Sequence, residues 1–124
     1  MARIAGVNVP TYKKLWVALT YVYGIGNFKS MSICKDAELD PERRVSTLSE
    51  VEVGRLRSVI GAKHVVEGDL RRIVSSSIAA LKDNGSYRGS RHIKGLPMSS
   101  RTRTNARTRR GKRIAIAGKK VAPK

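Results

Sequence analysis

The stretch at residues 69–83, DLRRIVSSSIAALKD, carries the strongest helix signal in this chain of 124 residues. Side chains on one face recur at steps of three and four residues: Leu70, Ile73, Val74, Ser77, Ile78 and Leu81. Such a stripe is typical of a helix that packs one side against a core. Glu67 and Asp69 suit the positive N-terminal end of a helix, and Asn84-Gly85 supplies a stop. The pattern therefore predicts a core-facing helix over residues 69–83.

Upstream of that stretch, a first helix is predicted to begin after Pro10. Thr11 suits its N-cap position, because a Thr hydroxyl can accept from an N–H of the first turn. One face then carries residues at helical spacing: Tyr12, Leu15, Trp16, Leu19 and either Val22 or Tyr23. The helix is expected to end at Gly24-Ile25-Gly26, since glycine adopts backbone angles closed to other residues.

Two more helices are predicted between this turn and residue 69. The earlier one ends by Asp40-Pro41 and has three residues on one side: Phe28, Met31 and Cys34. The later one begins at Ser49, because Ser49 and Glu52 have the spacing of a capping box. Its inward residues are Val53, Leu56 and Ile60. Four helices predict a mainly α fold class, with a small compact helical domain at residues 1–86.

Positive charge is concentrated toward the carboxyl end of the chain. There are 26 Lys and Arg against 9 Asp and Glu, a formal net charge of +17. Residues 1–87 hold 13 of these cations and all nine acids, whereas residues 88–124 hold the other 13 and no acid. No apolar period persists beyond Gly85. We therefore expect residues 87–124 to form a long extended basic tail that orders only on a polyanionic partner.

Composition argues against several classes of protein and of site. A single cysteine, Cys34, excludes an intrachain disulfide and a Cys-cluster zinc site, and is expected to be a buried thiol. The two histidines, His64 and His92, lie in no recognisable nucleophile setting, so we predict no catalytic residue, no metal and no cofactor. No apolar run approaches the ~20 residues needed to span a bilayer. We expect a soluble, non-enzymatic protein made where it works.

The Gly24-Ile25-Gly26 turn has two interpretations that the residues leave open. It can be a tight connection between helices and nothing more. Alternatively, N–H groups at the start of the next helix face a phosphate, and Lys29, one turn on, adds positive charge.

The basic tail has the composition of a nucleic-acid-binding segment. Residues 87–97 mix cations and glycines with Tyr87, and residues 101–113 place seven cations in 13 positions. Arg grips phosphate bidentately and stacks on bases, whereas glycine lets a backbone approach closely. A merely solvated tail is disfavoured, because an acid-free run repels itself unless an anion neutralises it. A membrane partner is also disfavoured, because no amphipathic helix accompanies the cations.

Several short motifs follow one another along the whole chain. They are RIAGVNVP at 3–10, YGIG at 23–26, VEGDLRR at 66–72, YRG at 87–89, RH at 91–92, GLP at 95–97 and TNARTR at 104–109. In this order they resemble the family of bacterial small-subunit ribosomal protein S-thirteen. The resemblance implies a helix–two-turns–helix arrangement in the helical domain and a tail that runs through the RNA of the subunit head.

The resemblance also implies partners and a location. The partners are small-subunit ribosomal RNA, the peptidyl-site tRNA, ribosomal protein S-nineteen, and large-subunit protein L-five across an inter-subunit bridge. The location is a ribosome, in a bacterial cytoplasm or in an organelle. With the chemistry above, the predicted rRNA-binding residues are Gly24, Ile25, Gly26, Lys29, Tyr87, Arg88, Gly89, Arg91, His92, Lys94, Arg101, Arg103, Asn105, Arg107, Arg109 and Arg110. The predicted tRNA-binding residues are Lys119, Lys120 and Lys124.

The chain departs from that family's pattern at three places: Asn27-Phe28, Ile93 and Ser99-Ser100. The family usually has basic or Lys-bearing sequence at the first two, and commonly reads Arg-Gly-Gln at the third. RNA contacts at these positions are therefore not carried over.

Two other classes of protein share features with this sequence. A DNA-compacting protein could carry the same charge, but Tyr and His beside Arg and Gly suit folded RNA better than a uniform duplex. DNA-repair glycosylases share the helix–two-turns–helix module, but they need a catalytic N-terminal residue and a zinc finger. This chain begins Met1-Ala2 and has one cysteine.

Overall fold

The computed structural model describes residues 2–99, 104–116 and 118. The helices and strands are β1 (Ala2–Ile4), β2 (Val7–Val9), α1 (Leu15–Leu19), α2 (Asn27–Asp36), α3 (Glu50–Lys63), α4 (Glu67–Asp83) and α5 (Tyr87–Lys94), with a 3₁₀ turn at Val45–Thr47. The predicted mainly α fold class is confirmed. The chain forms two compact units, which we call the amino-terminal unit (up to Val74) and the carboxyl-terminal unit (from Ser75). The division falls within α4, and the predicted domain boundary at residue 86 stays a prediction.

A short antiparallel hairpin precedes the helices. Ala2 pairs with Val9 and Ile4 with Val7, and the connecting Ala5 and Gly6 both have positive φ, 49° and 82°. Positive φ at both central residues matches the hairpin turn whose twist suits paired strands. The sequence reading did not predict this hairpin, because strands of three residues are too short to show an alternating pattern.

The core of the amino-terminal unit is built from the hairpin and the first three helices. Its buried residues are Ile4, Val9, Leu15, Ala18, Leu19, Val22, Ile25, Ile33, Cys34, Ala37, Leu39, Val45, Val53, Leu56 and Ile60. The predicted capping box of α3 is confirmed: the Ser49 N–H donates to Glu52 Oε2 at 2.7 Å, and the Glu52 N–H donates to Ser49 Oγ at 3.3 Å. The three inward residues predicted for α3 are confirmed too. Cys34 is buried as expected, and burial raises the pKa of its thiol to about 11.

The prediction for the first helix was wrong at its start. Helix α1 begins at Leu15 with Lys14 as its N-cap, so Thr11 is not the cap, and Tyr12 is 70% exposed. The residues before α1 pair instead with a distant loop: the Val45 N–H donates to the Lys13 carbonyl at 3.1 Å, and the Ser46 N–H donates to the Thr11 carbonyl at 3.0 Å. These long-range hydrogen bonds replace the first turns of the expected helix. Leu15, Leu19 and Val22 are buried as expected.

The predicted inward face of the second helix was wrong in two of its three residues. Phe28 is 87% exposed and Met31 is exposed, whereas Ser30, Ile33 and Cys34 are buried. Phe28 stands in the first turn, beyond the edge of the core. The helix ends at Asp36, ahead of Asp40-Pro41.

Helix α4 confirms the helix predicted at residues 69–83, but the predicted burial of one of its faces is wrong. It begins at Glu67, two residues before the predicted start, and ends at Asp83 ahead of Gly85, whose φ is 61°. None of its residues is buried, and Ile73 is 51% exposed, so the core-facing stripe was wrong. The buried core residues end at Ile60, and of the residues that follow, only Val66 is partly buried against this core.

Helix α5 contradicts the prediction of an extended chain over residues 87–94. Ser86 caps its start by accepting from the Gly89 N–H at 3.1 Å, and Gly95 ends it with a left-handed φ of 66°. A cap at each end supplies partners for backbone groups that a short helix otherwise leaves open. Apolar periodicity does not predict this helix, because residues 87–94 lack a sustained apolar stripe.

Candidate nucleic-acid interface

The Gly24-Ile25-Gly26 turn lies against the start of α4. Gly24 has a φ of 103°, and a Cβ placed on it would lie 2.6 Å from Leu70 Cδ2 and 3.3 Å from the Val65 carbonyl oxygen. The backbone angle favours glycine here, and the short distances show that the turn packs closely on its neighbours. The turn is therefore a tight packing element, in agreement with the first of its two interpretations.

Glu67 holds the turn from the other side. The Tyr23 N–H donates to Glu67 Oε1 at 2.7 Å, and the Glu67 N–H donates to the Tyr23 carbonyl at 3.0 Å. Arg71 lies over the Tyr23 ring at 4.2 Å and its Nε is 3.7 Å from Glu67 Oε2. Glu67 has a φ of 48°, an angle that a non-glycine residue keeps only when its surroundings impose it. Sequence spacing gave no signal of this contact between residues 44 positions apart.

The start of α2 presents polar backbone next to the turn. Gly26 is its N-cap and has no side chain to cap the first turn, so the first N–H groups lack an intrahelical acceptor. Lys29 is exposed, and its Nζ donates to the Gly24 carbonyl at 3.2 Å. This end of α2 can attract an anion. Ile25 is only 4% exposed, so any RNA contact there is restricted to its backbone.

Phe28 is a candidate that the sequence reading placed in the core. Its exposed ring stands in the first turn of α2, between Gly26 and Lys29, where it is available to stack on a base. A single aromatic residue at a helix start gives no sequence signal of exposure.

In the carboxyl-terminal unit, Gly89 is a packing residue. A Cβ on Gly89 would lie 2.9 Å from Lys82 Cα and closer still to the carbonyl group of Leu81. Ser86 strengthens the same contact, because its Oγ donates to the Leu81 carbonyl at 2.9 Å. Helix α5 thereby packs directly on the end of α4. Whether Gly89 also contacts RNA stays a prediction.

Arg91 is likewise directed into the protein. It is 4% exposed, its Nε donates to the Pro97 carbonyl at 3.0 Å, and its guanidinium lies 5.7 Å from the centre of the Tyr87 ring. Three other predicted residues of α5 are more open: Tyr87, Arg88 and Lys94 are exposed. Helix α5 thus carries two kinds of residue. Gly89 and Arg91 pack inside the carboxyl-terminal unit, whereas Tyr87, Arg88 and Lys94 are exposed to solvent.

Residues 105–114 form a loop held by its own side chains. The Asn105 amide donates to the Ile114 carbonyl at 2.7 Å, and Arg107 Nε donates to the Lys112 carbonyl at 3.0 Å. Arg110 Nη2 donates to the Lys94 carbonyl at 2.8 Å, which ties the loop to the end of α5. Arg109 is exposed. The structure therefore brings the loop's cations to the helix that carries Arg88 and His92.

Three cations, Lys82, Arg88 and Arg109, lie near enough to His92 to act on its charge. Burial lowers the pKa of His92 below its usual value, and the positive charges of Arg109, Lys82 and Arg88 lower that pKa further. His92 Nδ1 is buried and has no hydrogen-bond partner among the described residues. We call Lys82, Arg88, His92 and Arg109 the His92 cluster. Lys82 was not predicted, because its proximity depends on α5 packing on α4.

Five predicted residues lie outside the described part of the chain: Arg101, Arg103, Lys119, Lys120 and Lys124. Among the residues that are described, no group of three or more His, Cys, Asp or Glu could hold a metal ion. No helix in that same part is long and apolar enough to cross a membrane.

Comparison with known proteins shows which family this chain belongs to. The family model described as ribosomal protein S13/S18 matches residues 3–108. The chain belongs to this family. A Chlamydia pneumoniae relative, small ribosomal subunit protein uS13, is 54% identical over 121 residues, which cover 97% of this chain and 99% of the relative. The resemblance to the bacterial small-subunit S-thirteen family is thereby confirmed.

Membership in the S13/S18 family also settles the class of activity. A protein of this family is a structural, non-enzymatic component of the ribosome, and rRNA binding and a place in translation follow from the family. The chain is therefore a ribosomal protein, and not a DNA-compacting protein or a DNA-repair glycosylase.

Proposed function

We propose that this ribosomal protein lies in the head of the small subunit and binds head rRNA with the His92 cluster and the loop at residues 105–114. The cluster is the observation that carries the proposal. Lys82, Arg88 and Arg109 have no ion pair among the described residues, and all five described ion pairs lie before residue 75. Cations that converge without a paired acid favour an external anion, and RNA phosphate is an anion of this kind.

A second RNA contact is proposed at the start of α2. The uncapped first turn at Gly26 and the Lys29 ammonium favour a phosphate, while the exposed Phe28 ring favours an unpaired base beside it. Glu67 accepts a hydrogen bond from the Tyr23 N–H and so helps to fasten the neighbouring glycine turn beside this surface.

The individual tRNA and protein partners are proposed from the resemblance to the bacterial small-subunit S-thirteen family. We assign Lys119, Lys120 and Lys124 to the peptidyl-site tRNA, and protein–protein contacts to S-nineteen and to L-five across the subunit bridge. A bacterial cytoplasmic ribosome is the proposed location. The end-to-end order of motifs and the bacterial relative support these assignments.

The pKa of His92 tests the proposed rRNA surface. In the free chain we expect a pKa below the usual value of about 6.5, and in complex with a head-rRNA fragment we expect a higher one, because phosphates offset the neighbouring cations. A pKa that is higher in the complex means that binding takes up a proton, so affinity rises as the pH falls through this range. NMR titration of the His92 ring measures both values.

The His92→Gln variant is the control for that titration, since it should bind RNA with the pH dependence removed. An equal His92 pKa with and without RNA would place the RNA elsewhere on the protein.

Truncation after Gly111 tests the tRNA assignment. We expect small subunits that carry the shortened chain to assemble, but to hold peptidyl-site tRNA more weakly, because five cations are lost, Lys119, Lys120 and Lys124 among them. Filter binding of tRNA to purified subunits measures the effect. A second chain with only Lys119, Lys120 and Lys124 changed to Gln isolates their charge, and wild-type tRNA affinity in both would contradict the assignment.

A further inference from the structure

Two exposed side chains beside the glycine turn, Tyr23 and Arg71, take no part in the RNA contacts proposed above. The Arg71 guanidinium carbon lies 4.2 Å from the centre of the Tyr23 ring. This distance is well inside the ~6 Å at which a cation and an aromatic face attract each other. Arginine also stacks its planar group on aromatic faces, which lysine cannot do. We call these two residues the Tyr23–Arg71 pair.

Glu67 contacts both members of the Tyr23–Arg71 pair. Its Oε1 atom accepts from the Tyr23 N–H at 2.7 Å, and its Oε2 atom lies 3.7 Å from Arg71 Nε. These contacts restrict both residues before a ligand binds, so less conformational freedom is lost on binding. Because Arg71 already has a carboxylate partner, a second anion gains less there than at a cation without one. The chemistry of the pair therefore favours a ligand that uses the planar surface of Arg71 more than its charge.

Arg71 also keeps an open surface. Its side chain is 64% exposed even though it lies over the Tyr23 ring. The other arginine beside a tyrosine differs in this respect: Arg91 lies 5.7 Å from the centre of the Tyr87 ring but is only 4% exposed. Arg91 is therefore enclosed by the protein, whereas the guanidinium face of Arg71 that points away from Tyr23 is accessible to a ligand.

We propose that an unpaired RNA base stacks on the open face of Arg71, so that the base, the guanidinium and the Tyr23 ring form three layers. Unpaired bases stack on arginine planes and on aromatic rings in RNA-binding proteins. The inference rests on the proposed function in one respect, that the RNA is head rRNA. Tyr23 directly precedes Gly24, whose carbonyl accepts from Lys29 Nζ. The stacked base would therefore belong to a strand that passes the phosphate contact proposed at the start of α2.

Two RNA hexamers of equal charge separate a stacked base from a bound phosphate. The probes are hexa-adenylate and an abasic hexamer with the same backbone, each added to the full-length chain at about 200 mM salt, where charge contacts alone are weak. We expect hexa-adenylate to move the Arg71 Hε NMR signal upfield, because that proton then lies over a base. The abasic hexamer should move it by less than a third as much. An equal shift with both hexamers, or no shift with hexa-adenylate, would overturn the proposal.

Exchange of Arg71 for lysine tests the same contact without a change of charge. We expect Arg71→Lys to bind a head-rRNA fragment at least threefold more weakly, with an unchanged slope of log K against log salt. Arg72→Lys is the matched control, because Arg72 is the next residue of α4, is exposed and also has an acidic partner, Asp69 at 3.6 Å. It should bind within twofold of the original chain. Equal losses in the two variants, or no loss in Arg71→Lys, would contradict the stacked base.

Tyr23 is a positioning residue in this arrangement, since it acts on the base through Arg71. Tyr23→Phe keeps the ring and should keep the difference between the two hexamers at Arg71 Hε. Tyr23→Leu should reduce that difference by at least half, with urea unfolding used to check that the chain is folded. A folded Tyr23→Leu chain with the full difference would exclude the ring from the site. If that variant does not fold, loss of the difference in Tyr23→Phe would count against the three layers, and its retention would support them.

Lys29→Gln separates this inference from the contact proposed at the start of α2. We expect that variant to bind both hexamers more weakly, because a cation is removed, and to keep the difference between them at Arg71 Hε. Unchanged binding of both hexamers by Lys29→Gln would contradict the proposed phosphate contact alone. Loss of the difference at Arg71 Hε in the original chain would contradict the stacked base alone.

Discussion

Gly89→Ala is expected to lower the free energy of unfolding of the chain by about 2–4 kcal/mol. The added methyl group would overlap the Leu81 carbonyl group and lie 2.9 Å from Lys82 Cα. These are backbone atoms of α4, and they cannot yield as the end of a flexible side chain can. Helix α5 must then move away from α4, which also removes the hydrogen bonds that Ser86 makes to both helices.

Urea unfolding followed by circular dichroism measures this change, and hydrogen exchange locates it. The Leu96 N–H donates to the Arg91 carbonyl at 3.0 Å, so its protection reports on the end of α5. Gly54→Ala is the control, because that position is open and helical, and about 1 kcal/mol of stabilisation is expected. A Gly89→Ala chain with the stability of the original would show that α5 does not pack on α4 in solution.

The affinity of the chain for head rRNA is expected to fall steeply with salt. Each neutralised phosphate adds about −0.7 to −0.9 to the slope of log K against log salt, because bound counterions are released. Six to ten such contacts would weaken binding about 10³–10⁵-fold between roughly 50 and 200 mM salt. Changing Lys82, Arg88 and Arg109 together to Gln should make the slope shallower by about 2. Fluorescence anisotropy across a salt series measures both quantities.

A matched triple variant separates local contacts from overall charge. Lys35, Arg44 and Arg55 are exposed cations of the amino-terminal unit, and changing all three to Gln removes the same charge. This variant should keep most of the original slope. If the two triple variants behaved alike, the His92 cluster would have no special part in binding, and a flat salt response of the original chain would show that charge is not the main driver.

Local signals predicted the fold best. The capping box at Ser49 and Glu52 and the inward residues of α3 were read correctly, because both depend on residues a few positions apart. The start of α1 was misread because its backbone pairs with residues near Val45, and no local pattern reports such a pairing. Helix α5 was missed for a different reason: its residues lack apolar periodicity, and its caps, Ser86 and Gly95, were not recognised as helix signals.

The candidate site was predictable as a region and less so residue by residue. The charge distribution pointed to the carboxyl end, where the structure places Arg88, Arg109 and the unpredicted Lys82 around His92. Within the same motif, however, Gly89 packs on α4 and Arg91 is buried. Composition cannot distinguish an arginine or glycine that contacts RNA from one that packs inside the protein. Both roles use the same properties of the residue: the charge and hydrogen-bond donors of arginine, and the small size of glycine.

Several arginines of this chain fasten loops by donating to backbone carbonyls. Three clear cases are Arg57 on Arg3, Arg107 on Lys112, and Arg110 on Lys94. Lysine keeps the charge but lacks the planar fork that makes such a fastening directional. Exchange of Arg for Lys over evolutionary time would therefore leave the isoelectric point almost unchanged while the loops lost their shape. For this protein, selection on loop architecture and selection on charge act on the same side chains, and net charge alone is a poor guide to which substitutions it tolerates.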